Sequence, residues 1–398
     1  MRPLAARTGR ISTSQTVAID AKYKRLKAEG KDVLSLGAGE PDLDTPEHAK
    51  QAAVDSIRKG LTKYSAVTGL PELREAVSSK FSRENDLAYS PSDIVISGGA
   101  KHCVFNALLA LVEEGDEVII PSPCWVTYPE LVRFLGGTPV MVPTGMAEGF
   151  KIDATRLEKA VTPKSKLVIL NSPGNPTGAI YSESELRALA AIMIKHDLYC
   201  LSDEIYEYIV YDGNRHVSIA SLGQEIFART ITINGMSKAY AMTGWRIGYT
   251  GAPAPLAAAI GAIQSHGTHH PANASQYAAV AAMNADKAFP DSMRTHLAEC
   301  RALTLKRLSA IPGLKVFEPQ GAFYAFFNLE AYLGKSFQGK AMATSMDVSG
   351  YMLDSQLLAT VPGSSFGLEG YMRISFANRL DILDAALDRL EKGFAALD

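Results

Sequence analysis

A lysine stands just after a β-rich run in the segment Asn234-Gly235-Met236-Ser237-Lys238-Ala239-Tyr240-Ala241-Met242-Thr243-Gly244-Trp245-Arg246. Its neighbours are small and apolar, and such surroundings favour the neutral amine, the form that attacks aldehydes. Most lysines are solvated surface charges, so Lys238 alone proves little. A second stretch, Ser202-Asp203-Glu204-Ile205-Tyr206, sets two carboxylates and a phenol at the end of a buried strand, where charge is costly unless paired. The plain alternative is that Asp203 caps the element that follows. A third, Asn171-Ser172-Pro173-Gly174-Asn175-Pro176-Thr177-Gly178, must leave its sheet in a tight loop, because two prolines cannot join a ladder. It reads either as a simple turn or as a ligand loop.

All three stretches follow apolar, β-rich runs, and in an open α/β sheet ligands bind at the carboxyl ends of strands. The runs that must position them are Ile94–Ser97, Glu117–Ile120, Pro139–Val142, Leu167–Leu170, Tyr199–Ser202, Thr230–Ile233 and Arg246–Thr250. Between them Glu47–Arg58, Pro71–Glu84, Lys101–Glu113 and Glu183–His196 carry apolar residues at steps of three and four, the helical period. The fold class expected is α/β: a mainly parallel seven-stranded sheet between helices. Beyond Pro253 the pattern turns to helices over Pro255–Ser265, Ala274–Ala285 and Asp291–Leu308, then strands around Gly321–Phe327 and Met372–Phe376. Leu383, Leu387, Leu390 and Phe394 form the apolar stripe of a closing helix. At 398 residues two domains sharing a cleft are expected: residues 46–285 as the large one and 286–398 as a smaller α+β one, with 1–45 contributing to the smaller domain and the site.

Taken together and in this order, the motifs resemble the fold-type I pyridoxal-phosphate (PLP) enzymes, the class I and II aminotransferases, and within them the bacterial aspartate aminotransferase branch. The resemblance runs from Gly37-Ala38-Gly39-Glu40-Pro41-Asp42 to Met372-Arg373-Ile374-Ser375-Phe376, with Arg246 eight residues after Lys238. It implies that Lys238 holds the cofactor as a Schiff base and then moves the substrate proton as general acid and base. It implies that Asp203 pairs with the pyridinium nitrogen, that Tyr206 and Asn175 donate to the ring oxygen, and that Trp125 stacks on the ring. The phosphate falls to the helix start Gly99-Ala100-Lys101, to Ser237 and to Arg246. By the same resemblance Tyr64 comes from a neighbouring subunit, so that the active form is a homodimer. Arg373 grips the substrate α-carboxylate with help from Gly39 and Asn175, Trp125 lies against the substrate, and Lys101 and Thr16 receive its distal group.

The reaction so implied is ping-pong transamination between aspartate and 2-oxoglutarate. Other amino acids (aromatic, prephenate, alanine) and C–S or C–N β-elimination remain open, because motifs for a cofactor do not fix the reaction. A non-catalytic effector domain is the rival of another class; no helix-turn-helix or basic extension accompanies the motifs. Two departures stand out. Gly235 occupies a position where many relatives have serine, and Ser265-His266-Gly267-Thr268-His269-His270-Pro271 replaces a Ser/Thr/Asn-rich stretch. His269 and His270 lack acidic or cysteine companions and make a poor metal set, so no metal is expected. Gly98-Gly99 is no dinucleotide fingerprint.

Composition agrees with an enzyme acting on small molecules. A net charge of −2 gives no basic field for nucleic acid or an anionic membrane, and no run reaches the roughly 18 apolar residues of a span. Cys103, Cys124, Cys200 and Cys300 are widely separated within apolar runs, a pattern of buried thiols in a reducing cytoplasm.

Overall fold

The computed structural model describes residues 2–12 and 15–398, without the side chains of residues 15–18 and 20. Its main sheet is formed by β1 (Ile94–Ser97), β2 (Glu117–Ser122), β3 (Thr138–Pro143), β4 (Ser165–Asn171), β5 (Tyr199–Asp203), β6 (Thr230–Gly235) and β7 (Gly248–Gly251). The order across the sheet is β1-β7-β6-β5-β4-β2-β3. β7 runs antiparallel to both its neighbours, and the other pairings are parallel. Every residue of β1, β6 and β7 is buried, as expected where helices cover both faces of a sheet. The expected seven-stranded α/β sheet is therefore present. One boundary moves: the last strand starts at Gly248, not Arg246, because Arg246 has φ +56°, outside the extended region.

The parallel strands aim their carboxyl ends at one edge, and Asn171 and Asp203 stand side by side there as register partners. Helix Glu47–Arg58 coincides with its expected range. Helix Glu183–Lys195 begins with a capping box in which Ser182 and Glu185 satisfy each other's backbone N–H groups. Among the described residues five helices have no counterpart in the sequence expectation: Gln15–Ala28, Thr127–Leu135, Ala154–Ala160, Gln224–Phe227 and Ser345–Ser355.

A second, antiparallel sheet has the order β10-β11-β9-β8, from β8 (Lys315–Val316), β9 (Tyr324–Asn328), β10 (Val361–Pro362) and β11 (Tyr371–Ser375). Its own core includes Phe323, Phe327, Met372, Ile374, Leu387 and Phe394, so the closing helix Leu380–Ala395 buries the stripe foreseen for it. Arg307 of helix Ala288–Ala310 bonds Asp384, Asp388 and Glu391 of that closing helix, each at 2.5 Å. Between the two sheets runs a strap. Leu34–Ser35 pairs in parallel with Leu358–Ala359, and residues 36–45 then cross the cleft toward the large sheet.

Candidate active site

A cavity of about 520 Å³ lies where the strand ends, the strap and the second sheet meet. Its floor is Asp203, 3% exposed at the last position of β5. One carboxylate oxygen accepts from the Tyr128 hydroxyl at 2.7 Å and the other from the Ile205 N–H at 3.2 Å. Burial pushes this carboxyl up to about 6, against the partial opposition of the two hydrogen bonds and of Lys238. Among the described residues Asp203 forms no ion pair, and its carboxylate accepts only from neutral donors. Asn171 donates to the Asp203 carbonyl at 2.9 Å and accepts from the Asn175 N–H at 2.8 Å, which fixes the loop beside it.

Lys238 enters from the loop after β6. Its ammonium donates to the Gly39 carbonyl on the strap and lies 5.8 Å from the Phe323 ring centre. Burial pulls its pKa down to about 8, with Glu40 opposing and Arg373 and Arg246 adding to the fall. A sizeable neutral fraction at physiological pH follows, the state required of a nucleophile toward aldehydes. The strap is tied to this loop at three further points: Thr243 to Glu40 at 2.8 Å, Thr45 to the Ala241 carbonyl at 3.0 Å, and Trp245 Nε1 to Thr45 at 2.9 Å.

Arg373, in the middle of β11 and 6% exposed, projects into the cavity from the second sheet. It donates to Asn175 Oδ1 at 3.0 Å and to the Gly37 carbonyl at 2.8 Å. Its guanidinium lies 4.3 Å from the Tyr324 ring centre and 4.9 Å from that of Phe366, and its buried Nε has no hydrogen-bond partner among the described residues. At the opposite end, Arg246 donates to the carbonyls of Thr243 at 2.8 Å and Gly98 at 3.3 Å. Among the described residues, neither arginine has a carboxylate within ion-pairing distance. Both present charge to the cavity that the protein does not neutralise.

Arg246 rests on the start of helix Ala100–Leu111. Gly99 caps that helix with φ +89°, a backbone conformation that favours glycine, and a Cβ there would press on Arg246 Nη2 at 2.4 Å and displace the guanidinium. A helix start directs N–H groups outward, and with Arg246 and the Ser237 hydroxyl it forms a seat for an anion. Lys101 stands 5.1 Å over the Trp125 ring, its pKa lowered by burial and by Arg246.

A sequence profile described as aminotransferase class I and II matches residues 31–390. An aspartate/prephenate aminotransferase from Nitrosomonas europaea is 45% identical over 390 residues, covering 97% of this chain and 98% of its own. The crystal structure of the aspartate aminotransferase from Rhizobium meliloti superposes with a TM-score of 0.96 at 44% identity, covering 100% of both chains. That of the aspartate aminotransferase from Thermus thermophilus with maleate superposes with a TM-score of 0.93 at 40% identity, covering 99% of this chain and 100% of the other. The chain belongs to the class I and II aminotransferases.

Around this aminotransferase's cavity the structure gathers Gly39, Ala100, Lys101, Trp125, Asn175, Asp203, Tyr206, Ser237, Lys238, Arg246 and Arg373 of the residues singled out by sequence. Gly99 sits behind Arg246 rather than on the wall. Tyr64 is not brought there within one chain: it is 89% exposed, its ring 5.2 Å from that of His269 and 5.9 Å from that of His270. Thr16 belongs to helix Gln15–Ala28, and its side chain lies outside the described residues. Among the wall residues that carried no sequence signal are Tyr128 and Tyr324, aromatic side chains that read as core.

The departures now have physical settings. A Cβ at Gly235 would meet the Ile247 carbonyl at 2.8 Å and Gly248 Cα at 3.0 Å, so β6 and β7 pack too closely there for a serine. His270 accepts from the Ser65 N–H at 3.1 Å and bonds the Pro271 carbonyl at 2.7 Å, bracing the loop that carries Tyr64. A buried network behind the floor was also silent in the sequence. Glu204 bonds Ser202 at 2.8 Å, Ser218 at 2.7 Å and His216 at 3.0 Å, while Glu207 bonds Lys80 and, at 2.8 Å, Asn85. Glu204, Glu207 and His216 are the one group of metal-ligand type among the described residues, and Lys80 already balances one of its carboxylates. Burial works to raise the Glu204 pKa, but His216 and the two serines outweigh it and leave it lowered.

Proposed function

We propose that this aminotransferase binds PLP through Lys238 and exchanges amino groups between aspartate and 2-oxoglutarate. The observation that carries the reading is one cavity faced by a lysine of depressed pKa, a buried aspartate without a cation, and two arginines without carboxylates. PLP matches that set of needs. When bound, it supplies an aldehyde that reacts with primary amines and a pyridinium ring that withdraws electrons from the amine-bearing carbon.

Asp203 would hold the proton on the pyridine nitrogen, and the gain in charge pairing would offset the cost of its burial. Tyr206 and Asn175 would donate to the ring oxygen, and Trp125 would cover one face. Gly99, Ala100, Lys101, Ser237 and Arg246 would hold the phosphate. Arg373, already oriented by Asn175 and Gly37, would take the substrate α-carboxylate with two parallel hydrogen bonds, Gly39 lining the same end. Lys238 Nζ would be the group that takes up and moves the proton of the substrate Cα. In the two half-reactions the same residues hold first an amino acid and then a 2-oxo acid.

For the distal carboxylate we propose Lys101 and Thr16. Support comes from the relatives named aspartate aminotransferases and from the Thermus thermophilus enzyme solved with maleate, itself a dicarboxylate. We also propose a homodimer in which Tyr64 of one copy completes the phosphate site of the other, and a cytoplasmic location. The exposure of Tyr64 and the four free, buried cysteines support these readings. Among the described residues no helix is long and apolar enough to cross a membrane.

Substitution Lys238→Ala tests the reading. Adding PLP to the wild type should produce a visible absorbance band, and the variant should lose both band and turnover; persistence of both in the variant overturns the assignment. Single amino acids mixed with the loaded wild type should then identify the substrate by loss of that band. If neither aspartate nor glutamate has this effect, the substrate choice falls.

A further inference from the structure

Tyr324 touches three of the groups just described. It lies in β9, 1% exposed, on the cavity wall. Its hydroxyl is 2.8 Å from the Tyr206 hydroxyl, its ring supports the Arg373 guanidinium at 4.3 Å, and a Cβ on Gly39 would meet its oxygen at 2.7 Å. Gly39 is therefore small where the Tyr324 hydroxyl needs room, and its carbonyl receives the Lys238 ammonium.

Hydrogen counting gives this contact a direction. A phenol has one O–H, so Tyr206 sends its proton either to Tyr324 or into the cavity, never to both. Either hydroxyl can donate across the 2.8 Å contact. With a ring oxygen to serve in the cavity, Tyr206 must point its proton there, and Tyr324 must then be the donor to Tyr206. A donor whose own oxygen accepts a hydrogen bond is polarised and becomes a stronger donor.

We propose that Tyr324 is a positioning residue that orders a hydrogen-bond chain from Tyr324 to Tyr206 to the cofactor's ring oxygen, while its ring seats Arg373. The inference rests on the reading that the cavity holds PLP, and it adds a residue that acts through Tyr206 and Arg373 rather than on the reacting atoms. Its chemical consequence follows from charge. A stronger donor draws negative charge from the ring oxygen, leaving less to stabilise the protonated Schiff base beside it. Loss of the Tyr324 hydroxyl should therefore raise the Schiff-base pKa and favour the protonated form.

The test is a spectroscopic pH titration of the PLP-loaded protein. Tyr324→Phe keeps the ring under Arg373 and removes the hydroxyl; its titration should move up by about half to one pH unit, as expected for loss of one hydrogen bond. In a Tyr206→Phe background the same substitution should give no further shift. Gly39→Ala, which presses a methyl on the Tyr324 oxygen and leaves Tyr324 itself unchanged, should move the titration in the same direction. Tyr324→Leu should in addition weaken maleate binding about three- to tenfold, through loss of the ring beneath the cation, whereas Tyr324→Phe should not. A merely structural tyrosine would lower the melting temperature without moving the titration. A wild type that gains no visible band with PLP would sink the cofactor reading and this inference with it. A normal wild-type band with an unmoved Tyr324→Phe titration, or an equal shift with and without Tyr206, would overturn this inference alone.

Discussion

Arg301 and Arg373 are buried to nearly the same degree, 7% and 6% exposed, but they are treated in opposite ways. Arg301, on the back of the second sheet, has Asp212 at 2.7 Å, Glu318 at 3.0 Å and the Pro319 carbonyl at 2.8 Å. Among the described residues Arg373 has two neutral oxygens, two aromatic rings and an Nε with no hydrogen-bond partner, and burial lowers its pKa. A buried charge left without a counter-charge costs stability. The protein bears that cost at Arg373 and avoids it at Arg301, which marks one as a place for an incoming anion and the other as a fastening between helix and loop.

The sharpest way to break that contrast is Arg373→Ala. Removing two charge-assisted hydrogen bonds to a carboxylate should cost about 3–5 kcal/mol of transition-state binding, roughly a 10²- to 10⁴-fold fall in kcat/KM, with little loss of thermal stability. An unchanged kcat/KM would show that Arg373 binds no substrate carboxylate.

Asp203→Asn extends the contrast to the opposite sign of charge. The folded apoprotein holds a proton on Asp203 between about pH 4 and pH 6 that the unfolded chain has already released, because the carboxyl is raised to about 6. Stability contributed here is therefore lost as pH rises through that window. Asn removes the charge: the apo variant should be more stable than wild type at pH 8, by on the order of 2–3 kcal/mol, while turnover with PLP collapses. Equal stability of the two apoproteins at pH 8 would remove the case that Asp203 awaits a cation.

Arg301→Ala is the control with the smallest effect. Loss of a buried hydrogen bond and of ion pairs to two exposed carboxylates should lower stability by about 1–3 kcal/mol in denaturant melts and leave kcat/KM within a factor of two. A large kinetic effect would erase the distinction between the two arginines.

The large sheet was legible because strands buried on both faces carry continuous apolar runs, and Ile94–Ile96 and Leu167–Leu170 are of that kind. The helix Gln15–Ala28 was not, since its one apolar stripe, Ile19, Tyr23 and Leu26, is short and flanked by Lys22, Lys24, Arg25 and Lys27 in QTVAIDAKYKRLKA. Asn175 and Arg373 took their roles from the resemblance, whereas Lys238 and Asp203 were readable as candidates because charged side chains are conspicuous next to apolar strands. Tyr128 and Tyr324 were not, because an aromatic residue in an apolar context looks like core whatever its hydroxyl does. Their partners Asp203 and Tyr206 lie 75 and 118 residues away, so the hydrogen bonds that give them meaning exist only in three dimensions. Gly235 shows the converse: a departure visible in sequence acquires its cause, the close approach of β7, only from the fold.

The strap over residues 36–45 carries one more consequence. It bonds the lysine loop through Thr45 and Glu40, the second sheet through Gly37, and the start of the closing helix through Asp42, whose carboxylate accepts from the Arg379 N–H at 3.1 Å. Of the chain's two tryptophans, Trp125 lines the cavity and Trp245 is bonded to the strap. All of the protein's indole emission thus originates beside the cleft, and its intrinsic fluorescence is a label-free gauge of what enters it and how the strap shifts in response.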